Sequence, residues 1–146
     1  KPLFIKGHID GKPIGRMLVV GGAGVNIMPF SVFSKLGRKE EGLMKTKMGL
    51  SGFSGVLSEA KGVISMELTV GSKTLPTAFF VVDVKGRYNI LLGCDWIHAN
   101  CCIPSTLQQC LIQWVDDDVE VVDADNSACI ALAEAPVDWQ HGEMRC

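Results

Sequence analysis

Short apolar runs cut by glycine-bearing turns recur at roughly ten-residue spacing, and no other feature narrows the fold as far. Leu3 to Ile9 is the first such run, and Asp10-Gly11-Lys12 predicts a hairpin turn behind it. Asp-Gly readily takes the positive φ angles that a two-residue loop needs. Pro13 to Val20 is the returning strand, ending in the turn Gly21-Gly22-Ala23-Gly24. Pro29 to Leu36 predicts a short helix, with Pro in its first turn and Gly37 as its stop. Residues 38–48 read as a loop leading into a strand. Leu50-Ser51-Gly52-Phe53-Ser54-Gly55 predicts a hairpin tip carrying one aromatic.

Ala60 to Val70 alternates apolar with small or polar residues, and Gly71-Ser72-Lys73 turns the chain back. Leu75 to Val84 contains Ala78-Phe79-Phe80-Val81-Val82, apolar enough for burial on both faces. Asn89 to Gly93 is a further buried strand. Asp95 is suited to N-cap a helical turn or two through Ala99. Leu107 to Val115 and Val119 to Val122 make a last hairpin across Asp116-Asp117-Asp118. Ser127 to Glu134 could form a small helix, and Val137 to Cys146 resembles a tail. The expectation is a mainly β domain over residues 1–125, with 126–146 as a C-terminal extension or linker.

Composition removes several function classes. The chain has 146 residues, 47% hydrophobic, which suits one compact domain and not disorder. A net charge of -2 gives no electrostatic footing for nucleic acid. No apolar run approaches the ~20 residues that cross a bilayer, so no membrane association is expected. The first residue is Lys1 and no secretory leader opens the chain, which reads as an excised piece of a longer polypeptide.

All six cysteines (Cys94, Cys101, Cys102, Cys110, Cys129 and Cys146) fall in the C-terminal part. A disulfide framework would staple the whole length, so free thiols in a reducing, intracellular compartment are expected. Cys94, His98 and Cys101 are spaced to share a helical face. Structural zinc needs paired ligands and a fourth donor that is not evident, so neither metal nor cofactor is expected.

Other conspicuous residues have ordinary readings. Gly21, Gly22 and Gly24 suggest a tight turn needing positive φ. They do not match a nucleotide loop, because the G-x-G-x-x-G spacing is absent and Pro29 interrupts any long helix. Trp96 reads as core and His98 as helix surface. Met17, Met28, Met44, Met48 and Met66 read as fillers of irregular gaps. Asp116 to Asp118 read as a solvated turn, since calcium would need more ligands at loop spacing. Phe53 reads equally as hairpin packing or as a binding aromatic.

Leu18-Val19-Val20-Gly21-Gly22-Ala23-Gly24-Val25-Asn26-Ile27-Met28-Pro29 resembles the active-site loop of retropepsin-like aspartic proteases. The Gly-aromatic-Ser-Gly tip and Ile90-Leu91-Leu92-Gly93-Cys94-Asp95-Trp96-Ile97 extend the likeness. Together they are similar to the protease segment of plant Gypsy-type LTR retrotransposon polyproteins, over nearly the whole chain. Asn100 to Ser105 and Ala135 to Trp139 also look like that lineage.

The resemblance implies a small closed β-barrel that pairs as a homodimer. In it two aspartates share a proton and a hairpin flap closes over an extended peptide. Leu50 to Gly55 match the flap tip, and Ile90, Leu91, Leu92 and Gly93 match the cleft wall. Val20 stands where the family places its catalytic Asp, and Gly21 stands where Ser or Thr is usual. No replacement acid is evident: Asp10 belongs to a turn, Asp95 to a helix cap and Asp83 to a strand end. General acid–base assistance alone is worth roughly 10²–10⁴-fold. The implied function is a catalytically inactive module that binds a peptide or protein. Two alternatives stay open: an active endopeptidase processing its polyprotein, and a cysteine-based metal or redox module on Cys94 to Cys110.

Overall fold

The computed structural model describes residues 1–45, 49–50 and 58–126. Strand β1 (Leu3–Ile9) turns at Asp10 and Gly11, both at positive φ, into β2 (Lys12–Val19). The pairing runs from Leu3 opposite Val19 to Ile9 opposite Lys12, with a register shift between Ile5 and Gly7. After the glycine-rich loop come β3 (Ile27–Pro29) and helix α1 (Phe30–Lys35). Pro29 is the helix N-cap residue and Gly37, at φ +81, ends the turn after it. Two short strands, β4 (Gly49–Leu50) and β5 (Ser58–Glu59), pair antiparallel. The long strands β6 (Gly62–Val70) and β7 (Lys73–Val82) form a hairpin, and β8 (Ile90–Leu92) leads into α2 (Cys94–Ala99). The described chain ends with β9 (Cys102–Ser105), β10 (Cys110–Val115) and β11 (Asp118–Asp123).

Six strands close a barrel in the order β1-β2-β8-β3-β7-β6, and β6 returns to β1 through His8 and Ile9. Two of its seams are parallel. Leu18 on β2 lies opposite Leu91, and Met28 on β3 opposite Val81. The three residues of β8, Ile-Leu-Leu, are all buried, as expected of a strand paired on both sides at the centre of a sheet.

Period-two alternation sets the inside of the barrel. On β6 the residues Gly62, Ile64, Met66, Leu68 and Val70 point in, where they meet Leu3, Ile5, Phe79 and Ile90. Phe33 from α1, Trp96 from α2 and Leu111 from β10 complete that core. Fully burying such side chains contributes roughly 1.5–3 kcal/mol each.

The three-stranded sheet β11-β10-β9 is seated on the barrel by a buried amide pair. Asn100 Nδ2 donates to Gln113 Oε1 at 2.8 Å, and Gln113 Nε2 donates to the Val70 carbonyl at 2.8 Å and to Glu120. The far end is tied down at Asp125. Its backbone N–H donates to the Phe4 carbonyl, and its carboxylate accepts the Arg16 N–H at 2.9 Å.

The mainly β barrel with two short helices agrees with the sequence reading, and several details differ. β3 and β9 are strands that local pattern does not announce. Each is short, and Pro29 and Pro104 fall within them. Asp95 does not cap α2. Gly93 is the N-cap residue, and Asp95 sits in the first turn. β7 is not buried on both faces, because Ala78 is exposed between buried Thr77 and Phe79. Leu107 lies before β10 and is exposed. Met44 is exposed too, whereas Met17, Met28 and Met66 fill the core. Met48 and the helix expected at Ser127 to Glu134 lie outside the described residues.

Candidate functional site

The loop between β2 and β3 is held on the open end of β8. The Val20 N–H donates to the Leu92 carbonyl at 2.9 Å, continuing the β2–β8 pairing by one residue. The Ala23 N–H turns back to the Val20 carbonyl at 3.3 Å, and the Cys94 N–H donates to the Ala23 carbonyl at 2.7 Å. Cys94 also donates its thiol proton to the Gly21 carbonyl at 2.9 Å. Gly93 is required by close approach: a Cβ there would lie 2.4 Å from the Val25 carbonyl oxygen and 2.5 Å from that of Ala23.

Asn26 underpins this arrangement. It is 1% exposed. Its Oδ1 accepts the Gly93 N–H at 3.0 Å, and its Nδ2 donates to the Ala78 carbonyl and to Asp95 Oδ2, each at 3.0 Å. Its own carbonyl accepts the Phe80 N–H at 2.9 Å. One side chain therefore joins the loop to β7, to the β8–α2 corner and to α2. Sequence reasoning passed over this residue. Its signal was an amide directly before the apolar run Ile27-Met28, where a buried polar group must find partners.

The loop's surface is apolar. Val20 is half-buried and packs with Ala23, Val25, Leu18, Phe80 and Tyr88 against a small cluster of Ile27, Ala60, Val82 and Leu91. The phenol of Tyr88 is pushed up by burial. The carboxylates considered at the sequence level are placed elsewhere. Asp95 is bonded to Asn26. Asp10 accepts from Arg38 and from the Glu67 N–H. Asp83 is exposed beyond β7.

The expectation of positive φ at Gly21, Gly22 and Gly24 is corrected. None adopts it; among the described residues the glycines that do are Gly11, Gly37 and Gly71. A Cβ at Gly21, Gly22 or Gly24 would meet nothing within 4 Å. Neither backbone strain nor packing among the described residues demands glycine there.

Of the expected cleft residues, Ile90, Leu91 and Leu92 lie opposite Met17, Leu18 and Val19 in the β2–β8 seam, the Leu92 carbonyl accepts the Val20 N–H, and Gly93 follows at the start of α2. Leu50 ends β4, with Ser58 opposite it on β5. Ser51, Gly52, Phe53, Ser54 and Gly55 lie outside the described residues. Cys94, Cys101, Cys102 and Cys110 are free thiols, and burial pushes that of Cys102 up. Cys129 and Cys146 lie outside the described residues. Among the described residues, no three His, Cys, Asp or Glu side chains gather as a metal site, and no helix is long and apolar enough to cross a membrane.

No family model matches the sequence, and no curated protein does. Solved structures do match. The retroviral protease-like domain of Ddi1 from Leishmania major superposes with a TM-score of 0.65 at 17% identity, over 86% of this chain and 94% of that one. EIAV protease, solved with the inhibitor HBY-793, gives 0.56 at 18% identity, over 68% and 88%. A retropepsin-like aspartic protease from Rickettsia conorii gives 0.55 at 17% identity, over 83% and 89%. The barrel described above therefore has the retropepsin-like fold.

Proposed function

We propose that this chain is a retropepsin-like domain of retrotransposon origin, of the plant Gypsy type, that has lost aspartic-protease chemistry and acts as a homodimeric module binding an extended peptide or a protein segment. The domain spans residues 1–125 in this reading, with 126–146 as an extension. The observation that carries it is the loop after β2. In a retropepsin-like fold this loop presents the carboxylate, and here it presents Val20 packed into an apolar cluster. A valine can neither hold nor pass a proton. With a twofold axis, one substitution removes both acids of the pair. Asp95 and Asp10 are committed to structural bonds and supply no substitute.

The three glycines support the dimeric part. Glycine without positive φ and without a neighbour among the described residues leaves room for close approach by something outside the subunit. In this reading that is the same loop of a second copy. Replacing two facing carboxylates by two valines removes like-charge repulsion and adds apolar contact, which favours association. In this reading Ile90, Leu91, Leu92 and Gly93 form the cleft wall, and the resemblance assigns the flap to residues 50–55, of which 51–55 lie outside the described residues. An extended peptide would dock by strand addition, with Phe53 as the flap's aromatic contact.

The test restores the acid. The unmodified domain is expected to cleave no peptide from pH ~4 to ~7, to sediment as a dimer at tens of micromolar, and to bind extended peptides. Val20→Asp, alone or with Gly21→Thr, is expected to recover partial cleavage with a bell-shaped pH profile, because two facing carboxylates share one proton. Val20→Asn is the inactive control. Turnover by the unmodified domain that a transition-state-mimicking inhibitor abolishes would overturn the reading. So would a folded revertant dimer that neither cleaves nor binds.

A further inference from the structure

The outward face of the β9-β10-β11 sheet lies on an element separate from the glycine loop, and among the described residues it holds four of the six exposed large apolar side chains. Register places Ile103, Ile112 and Val121 in one cross-strand row and Trp114 beside Val119 in the next. These five side chains point away from the barrel, since Leu111, Gln113 and Val122 take the inward positions. Ile103 is 54% exposed, Val119 56%, Val121 58% and Trp114 39%. Isolated exposed apolar residues are ordinary, whereas contiguous apolar patches are a feature of interaction surfaces. At the same sheet, β11 pairs with β10 on one side only among the described residues. Its free edge is a template for another strand.

Charge selects the occupant. Residues 102–123 contain Asp116, Asp117, Asp118, Glu120 and Asp123, and no Lys, Arg or His. Glu120 is turned to Ser72 and Gln113. Lys73 reaches the sheet but gives its ammonium to the carbonyls of Asn100 and Trp114. The apolar face is thus bounded by Asp116 to Asp118 at one end of β11 and by Asp123 at the other. A second copy would bring acid against acid. The chain's own residues 127–146 carry Glu134, Asp138 and Glu143 against Arg145, and anionic lipid would also be repelled.

We propose that this face docks a cationic segment of another protein: an extended stretch of alternating apolar residues, flanked at both ends by Lys or Arg, adding to the edge of β11. Main-chain bonds to the edge hold the segment. Its apolar residues lie beside Val119 and Val121 and extend the outward apolar face by one strand, and its terminal cations meet the two acidic ends. The electrostatic share governs partner choice and encounter rate more than final affinity.

The experiment uses the whole chain and two labelled nine-residue probes, acetyl-Lys-Lys-Val-Thr-Ile-Thr-Val-Lys-Lys-amide and the same peptide with every Lys replaced by Glu. Fluorescence anisotropy reads binding. The cationic probe is expected to bind at least about tenfold more tightly than the acidic one and to weaken about tenfold between ~0.05 and ~0.5 M NaCl. Val121→Lys, at an exposed position, is expected to keep the fold by near-UV circular dichroism and to weaken cationic-probe binding at least about tenfold. Asp116→Asn with Asp117→Asn and Asp118→Asn should remove most of the salt dependence. Equal binding of the two probes, no binding of the cationic one, or indifference to Val121→Lys would each overturn the proposal. Conversion of a dimer to a monomer by Val121→Lys in sedimentation would assign the face to a second copy instead. Val121-dependent binding to phosphatidylcholine–phosphatidylserine vesicles would assign it to lipid. Neither result bears on whether the Val20 loop is catalytic.

Discussion

Removing the Asn26 side chain should unfasten the candidate site from its scaffold, at a cost that can be worked from its partners. The Gly93 N–H is buried and takes its acceptor from Asn26 Oδ1, so Asn26→Ala leaves that donor unmet. An orphaned buried donor costs roughly 1–3 kcal/mol. Ala78 and Asp95 are exposed residues, and water can replace what the amide gave them. The vacated volume adds a cavity cost, so Asn26→Ala should lose about 2–4 kcal/mol in all.

Asn26→Asp separates the two contributions. The new carboxylate still accepts from Gly93, but it faces the Asp95 carboxylate at the 3.0 Å spacing the amide now spans. Two like charges ~4 Å apart repel by about 4 kcal/mol at an effective dielectric of ~20. The pair then titrates together, with one proton held above the usual carboxylate range. A raised folded-state value means the charged form is penalised in the native state. The deficit of Asn26→Asp relative to the parent should therefore be small below pH ~4 and grow toward pH 7, while that of Asn26→Ala stays level. Urea unfolding across this range measures both. Adding Asp95→Asn to Asn26→Asp should flatten the pH dependence. A loss under ~0.5 kcal/mol for Asn26→Ala, or a pH-independent Asn26→Asp, would refute the role assigned to this residue.

Gly93→Ala should cost about 2–4 kcal/mol or prevent folding, because its Cβ would strike two backbone carbonyls that cannot move independently of the loop. Gly22→Ala, with nothing within 4 Å, should change subunit stability by less than ~1 kcal/mol but weaken self-association in sedimentation; unchanged association would count against loops facing one another. Asp10 is pushed up by desolvation but, taken together, more strongly held down by the Glu67 N–H, Arg38 and Lys12, so its carboxyl titrates below its usual 3.8. Its contribution is present above that value and is lost as pH falls through the folded-state value. Asp10→Asn should thus cost less than ~1 kcal/mol at neutral pH, and its denaturation midpoint should converge on the parent's once pH falls below the carboxyl's folded-state value.

Much of the barrel is legible in the residues. Alternation from Gly62 to Val70, the Asp10-Gly11 turn and the apolar run Ile90-Leu91-Leu92 each report a local rule: period two, positive φ, or burial on both faces. The half-exposed row on β7 defeated such a rule. Ala78 is apolar but small, and which face of a strand meets the core depends on what packs there. The glycine loop also misled, because glycine implies freedom without saying whether backbone angle or an outside neighbour uses it. β3 was hidden for another reason. Three residues carry no period, and Ile27 to Pro29 become a strand only because β7 and β8 lie on either side to take their hydrogen bonds.

The sequence by itself determined that the chain is mainly β, where its turns fall, and that the residue directly after β2 is Val20 and not an acid. These follow from residue chemistry and short-range geometry. Only the tertiary structure decided that Asn26 links Gly93, Ala78 and Asp95, residues 52 to 69 positions away along the chain. It alone showed that Gly93 is squeezed by Ala23 and Val25, and that one face of the β9-β10-β11 sheet is apolar and uncovered among the described residues. Such partners are set by barrel closure, which brings distant segments to bonding distance, and no local pattern in the sequence encodes which segments those will be.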